Sequence, residues 1–91
     1  MRKISPSSQF KKSYKIVKQY PNFSEAVFNE VVNNLANDIP LDEKYKDHPT
    51  KGKIKDCRDC HIAPDIVLLY RKSKERLELF LIDIGNHSNI F

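Results

Sequence analysis

Two amphipathic helical segments, then a polar loop, then three segments of strand character predict one α+β domain. In it, two N-terminal helices pack on a small antiparallel sheet. Length sets the domain count. Ninety-one residues, 40% hydrophobic and 31% charged, suffice for one core, whereas two separate cores would each be too small for apolar burial to offset chain entropy. The domain is therefore read as residues 1–91.

The elements follow in order. Residues 3–5 read as a short first strand, ended by Pro6, which has no backbone donor. Ser7 or Ser8 caps a helix whose apolar positions Phe10, Tyr14 and Val17 recur at i, i+4 and i+7, with Lys11, Lys12, Lys15 and Lys18 on the remaining surface. Tyr20-Pro21-Asn22 breaks it. Ser24 caps a second helix, in which Phe23 and Phe28 have the spacing of a hydrophobic staple and Phe28, Val31, Val32 and Leu35 form the apolar stripe. Asn37-Asp38-Ile39-Pro40 closes it, and residues 40–52 form a polar loop carrying His48.

From Lys53 the period becomes two. Ile54, Asp56, Arg58, Cys60 and Ile62 fall on one side; Lys53, Lys55, Cys57, Asp59 and His61 fall on the other. Ala63-Pro64-Asp65 is a turn. Residues 66–71 and 77–84 are apolar strands, antiparallel neighbours joined through the charged stretch 72–76. Gly85 permits a sharp bend before His87 and a tail ending in Phe91.

Sixteen Lys and Arg against twelve Asp and Glu leave a net charge of +4, which favours an anionic partner. The distribution says more: no acidic residue precedes Glu25, and a second basic group, Lys44, Lys46, Lys51, Lys53 and Lys55, sits mid-chain. No apolar run approaches the roughly 20 residues of a membrane span, and the basic start lacks the apolar stretch of a secretory signal. A cytoplasmic protein without membrane attachment is expected.

Cys57-Arg58-Asp59-Cys60-His61 has the C-x-x-C-H spacing of covalent haem attachment. A strand, however, points residues three apart to opposite faces, so the two thiols diverge from one haem, one zinc ion or one redox pair. The reading is that Cys60 is a small core residue and Cys57 a partly exposed thiol, with no metal and no cofactor. All three histidines follow Pro40. His61 shares a strand face with Asp59, His48 comes from the loop before that strand, and His87 leaves the last strand through Gly85. If those strands are neighbours, three imidazoles with Asp59 and Asp65 converge on one lysine-rimmed groove. Taken singly, each histidine is more often a hydrogen-bonded surface or core residue, and Asp65 is as well explained by its turn, Asp59 by pairing with Arg58 or a lysine, and Phe91 by plugging the core edge.

Such a groove suits cleavage of RNA. A base removes the ribose 2′-hydroxyl proton, an acid protonates the leaving 5′-oxygen, and cations steady the charge on phosphorus. Imidazole titrates near neutrality and serves as either partner. Lys44, Lys46, Lys51, Lys53, Lys55 and Arg58 are the candidate RNA contacts, although Arg58 alternates onto the apolar side, where an internal ion pair is the other reading.

Lys44-Tyr45-Lys46-Asp47-His48-Pro49, Lys51-Gly52, Arg58-Asp59-Cys60-His61, Pro64-Asp65, Leu69-Tyr70 and the ending Gly85-Asn86-His87-Ser88-Asn89-Ile90-Phe91 resemble the YafQ branch of the RelE-type bacterial toxins. The resemblance implies a RelE-like fold. It also implies an mRNA interferase that enters the ribosomal A site and cuts the message without metal. A cognate antitoxin would restrain it, and operator DNA would be bound only as the toxin–antitoxin complex. The positions associated with activity are matched here by His48, Asp59, His61, Asp65, His87 and Phe91, with Phe91 set to stack on a base. The chain departs from the pattern at Asp83, where members often carry arginine, and at Asp56 and Cys57, where they tend to have glycine and an aromatic residue. The competing reading is a non-catalytic basic module that binds nucleic acid or an antitoxin.

Overall fold

Ser7 ends one element and starts the next. Its Oγ accepts from the Phe10 amide at 3.0 Å, which caps α1 (Ser8–Val17), and donates to the Ile82 carbonyl at 2.7 Å, which ties that helix to the last strand. Ser24 caps α2 (Glu25–Ala36) in the same way, through the Val27 amide at 3.2 Å. The computed structural model describes residues 1–50, 56–73 and 75–86. The strands are β1 (Lys3–Pro6), β2 (His48–Pro49), β3 (Arg58–Ala63), β4 (Ile66–Ser73) and β5 (Glu78–Gly85).

They form one sheet in the order β1-β5-β4-β3-β2. β2, β3, β4 and β5 pair antiparallel with one another in sequence, but β1 runs parallel to β5, with Ile4 opposite Leu79. The sheet is therefore mixed, which corrects the expectation of a purely antiparallel one. Period-two patterning reports that a segment is extended and says nothing of its neighbour's direction; β1 is remote in sequence from β5, so no hairpin dictates it. Pro6 sits at the end of this edge strand, where its missing donor costs no ladder bond.

The stretch read as an irregular loop holds more order than its composition indicates. Asp42 accepts from the Lys44 amide at 3.0 Å and starts one turn of 3₁₀ helix, Glu43–Tyr45. The buried Tyr45 then packs into the core and donates to Glu30 at 3.1 Å, anchoring that turn to α2.

The core lies between the helices and one face of the sheet. Phe10, Val17, Phe28, Val31, Val32 and Leu35 meet Cys60, Ile62, Ile66, Leu68, Tyr70, Leu79, Leu81 and Ile84. Cys60 is fully buried there, as expected. Cys57 is also buried, at 8% exposure, and not partly exposed as its strand position indicated. On β5 a strict alternation from Leu79 and Leu81 would turn Asp83 into the core. Instead Tyr70 pairs with Leu81 and Leu69 with Asp83, so Ile82 is an extra residue; the bulge turns Ile84 inward and Asp83 to the opposite face. Among the described residues no helix is long and apolar enough to cross a membrane.

Candidate active site

The sheet face turned away from the helices gathers three of the candidate residues, His48, Asp59 and His61. Cα partners across strands share a face. One row runs His48 on β2, Asp59 on β3, Leu69 on β4 and Asp83 on β5; the next runs His61, Val67 and Gly85. His48, Asp59 and His61 therefore stand on one face, and the chain leaves the His61 row at Gly85 two residues before His87. His87, Phe91, Lys51, Lys53 and Lys55 lie outside the described residues.

His48 is held at both ring nitrogens. Nδ1 donates to the Lys46 carbonyl at 2.6 Å, a partner that can only accept, and Nε2 lies 3.0 Å from Asp59 Oδ1. The two partners differ in exposure: the His48 side chain is 47% exposed and that of Asp59 only 4%. Asp59 Oδ1 has no aligned hydrogen-bond donor among the described residues, so the imidazole edge is the polar group that faces it. A buried carboxylate oxygen left in that condition is costly, and such groups concentrate where a protein does chemistry.

His61 is half-buried, and its imidazole makes no hydrogen bond or ion pair among the described residues. Beside it opens a cavity of about 340 Å³ lined by Val27, Ile62 and Pro64 and by Lys44, Tyr45 and Lys46. Both lysines are exposed, and Lys44 Nζ stands 5.2 Å from the centre of the Tyr45 ring. Asp65 is placed differently. It is exposed in the β3–β4 turn, its carboxylate accepting from Asn22 Nδ2 in the connection between the helices, and most of the length of β3 separates it from the His48–Asp59 pair.

Arg58 takes the internal option. Its Nε donates to Asp47 Oδ1 at 3.2 Å, and the same oxygen accepts from the Tyr70 hydroxyl at 2.5 Å. Burial, reinforced by Asp47, pushes the Tyr70 phenol well above its ordinary range; burial likewise raises the Cys60 and Cys57 thiols, so neither is a ready nucleophile. Asp47 and Tyr70 are the residues that sequence reasoning passed over. The available signals were a carboxylate directly preceding a candidate histidine and a lone phenol ending the aliphatic run 66–69.

Residues 2–91 match the family described as bacterial toxin of type II toxin-antitoxin system, YafQ. The chain belongs to the YafQ toxin family. It is 30% identical over 90 residues to the mRNA interferase toxin YafQ of Escherichia coli K12, covering 99% of this chain and 96% of that one. Among solved structures, the metal-bound toxin from Helicobacter pylori is 44% identical with a TM-score of 0.91 over the whole of both chains. The Escherichia coli DinJ-YafQ complex is similar at 30% identity and a TM-score of 0.85, covering 100% of this chain and 99% of that one. In this YafQ-family chain, no group of three or more His, Cys, Asp or Glu side chains among the described residues gathers to hold a metal; His48 and Asp59 supply two donors.

Proposed function

We propose that this chain is a ribosome-dependent endoribonuclease toxin that cuts mRNA in the A site by acid–base catalysis from its own side chains, without a metal. In this reading the fold is RelE-like and the protein works in the cytoplasm. A cognate antitoxin neutralises it, as the DinJ partner of the Escherichia coli relative suggests, and operator DNA is bound only as the toxin–antitoxin complex. The observation that carries the reading is the common face of His48, Asp59 and His61, in register with the strand end that leads to His87.

The chemistry follows from that face. Nδ1 donates to the Lys46 carbonyl and Nε2 faces Asp59, so His48 exchanges a proton with the message when Nε2 swings from Asp59 toward it. One imidazole takes the 2′-hydroxyl proton, the 2′-oxygen attacks phosphorus, and the 5′-oxygen leaves with a proton from another. His48, His61 and His87 share these proton transfers. Lys44 and Lys46, with Lys51, Lys53 and Lys55, supply positive charge for the message, and Phe91 stacks on a base. DNA, lacking the attacking hydroxyl, is not cut.

The test is incubation with translating ribosomes followed by primer extension. Discrete cuts are expected with the wild-type chain, and none with His48→Gln or His87→Ala, while antitoxin binding survives in both. Unchanged products in these variants would remove the histidines from the mechanism. One observation favours the second reading, a basic binding module without catalysis: Asp83 puts a carboxylate in the same register row as His48 and Asp59, where a cation would be needed to steady a phosphorane. Ribosome binding without any cut would select it.

A further inference from the structure

We propose that Asp47 and Tyr70 are positioning residues that fix His48 at the edge of the sheet, an inference that rests on the cleavage reading above. β2 is only two residues long, and one of them is Pro49, which has no amide to donate. Backbone pairing alone gives such a strand little hold on its register. The preceding Lys46 has a left-handed backbone, φ 51°, a conformation that a residue with a side chain keeps only when its surroundings enforce it.

The enforcing contacts come from the neighbouring strands on both faces. On the face turned away from the helices, Asp59 meets His48. On the core face, Asp47 Oδ1 accepts from Tyr70 and from Arg58, which are themselves direct Cα partners across β3 and β4. Successive residues of the edge segment are therefore gripped from opposite sides: Asp47 by the Arg58–Tyr70 pair and His48 by Asp59 one residue further along β3. Tyr70 is 1% exposed in the core cluster, where a phenylalanine would fill the same volume. Its hydroxyl needs a partner at that depth, and Asp47 is the acceptor it reaches. Rotation of the Asp47 side chain out of this grip would release the Lys46 turn, and with it the carbonyl that orders His48 Nδ1.

The experiment is single-turnover cleavage on programmed ribosomes with the full chain and its Tyr70→Phe and Asp47→Asn variants. Tyr70→Phe preserves core volume. The rate of the chemical step should fall about tenfold in each variant. The concentration giving half-maximal rate should stay within twofold, and the His48 ring resonances should shift or broaden in NMR spectra. A merely structural role would lower the melting temperature and leave those resonances and the rate of folded protein unchanged. Wild-type rates and an undisturbed His48 ring in Tyr70→Phe overturn the proposal while leaving the cleavage reading intact. Wild-type cleavage by His48→Gln overturns both.

Discussion

His48 Nε2 lies 3.0 Å from Asp59 Oδ1, and the two residues are direct partners across the β2–β3 edge. The carboxylate is buried and the imidazole half in solvent, so in the proposed mechanism Asp59 is the fixed member and His48 the one that meets substrate. Asp59→Asn keeps the shape and removes the charge. Cleavage by this variant should fall ten- to a hundredfold, within the range of acid–base contributions, while circular dichroism shows an intact fold. A variant that cuts at the wild-type rate contradicts the role of Asp59.

How far this relationship was legible in the sequence depends on the residue. The alternation of Asp59 and His61 against Cys60 and Ile62 is a local property of β3, and it correctly separated the core face from the opposite one. The caps at Ser7 and Ser24 were equally local. The parallel pairing of β1 with β5 and the extra residue Ile82 were not legible, because both depend on contacts between segments far apart in the chain. Asp47 escaped for the same reason. Its importance arises from Tyr70, 23 residues away, and no periodicity links the two.

Asp83 occupies the same register row as His48 and Asp59, two strands beyond Asp59. Its Oδ1 accepts from the Ile84 amide at 2.8 Å, so the carboxylate is partly occupied with its own backbone. Asp83→Arg places a guanidinium on the site face, where it can reach charge developing on phosphorus. We expect ribosome-dependent cleavage to rise several-fold in this variant, read by primer extension at limiting toxin. A fall would mean that Asp83 itself contributes to the site.

Tyr70, Cys60 and Cys57 predict a stability profile. All three hold their protons more tightly when folded, because burial disfavours the anion; their ordinary values are 10.0 for the phenol and 9.0 for the thiols. As pH rises past those values the unfolded chain ionises first, so the contribution present at neutral pH is lost on the alkaline side. Each fully shifted group adds a slope of about 1.4 kcal/mol per pH unit. Urea denaturation between pH 8 and pH 11 should show stability declining from about pH 9, and Tyr70→Phe should lessen the decline above pH 10. A flat profile contradicts the burial of these groups.

The most direct test of the central claim, that side chains of this protein drive attack by the ribose 2′-hydroxyl, is the chemistry of the cut ends. Intramolecular attack leaves a 2′,3′-cyclic phosphate on one fragment and a free 5′-hydroxyl on the other, whereas attack by an activated water leaves neither cyclic product nor dependence on the 2′-oxygen. Cleavage of a defined message on programmed ribosomes, with the ends analysed by mass spectrometry, should give the cyclic phosphate and the 5′-hydroxyl. It should also give no cut where the target nucleotide is 2′-O-methylated. Fragments ending in 5′-phosphate, or cleavage of the 2′-O-methylated message, would contradict the account.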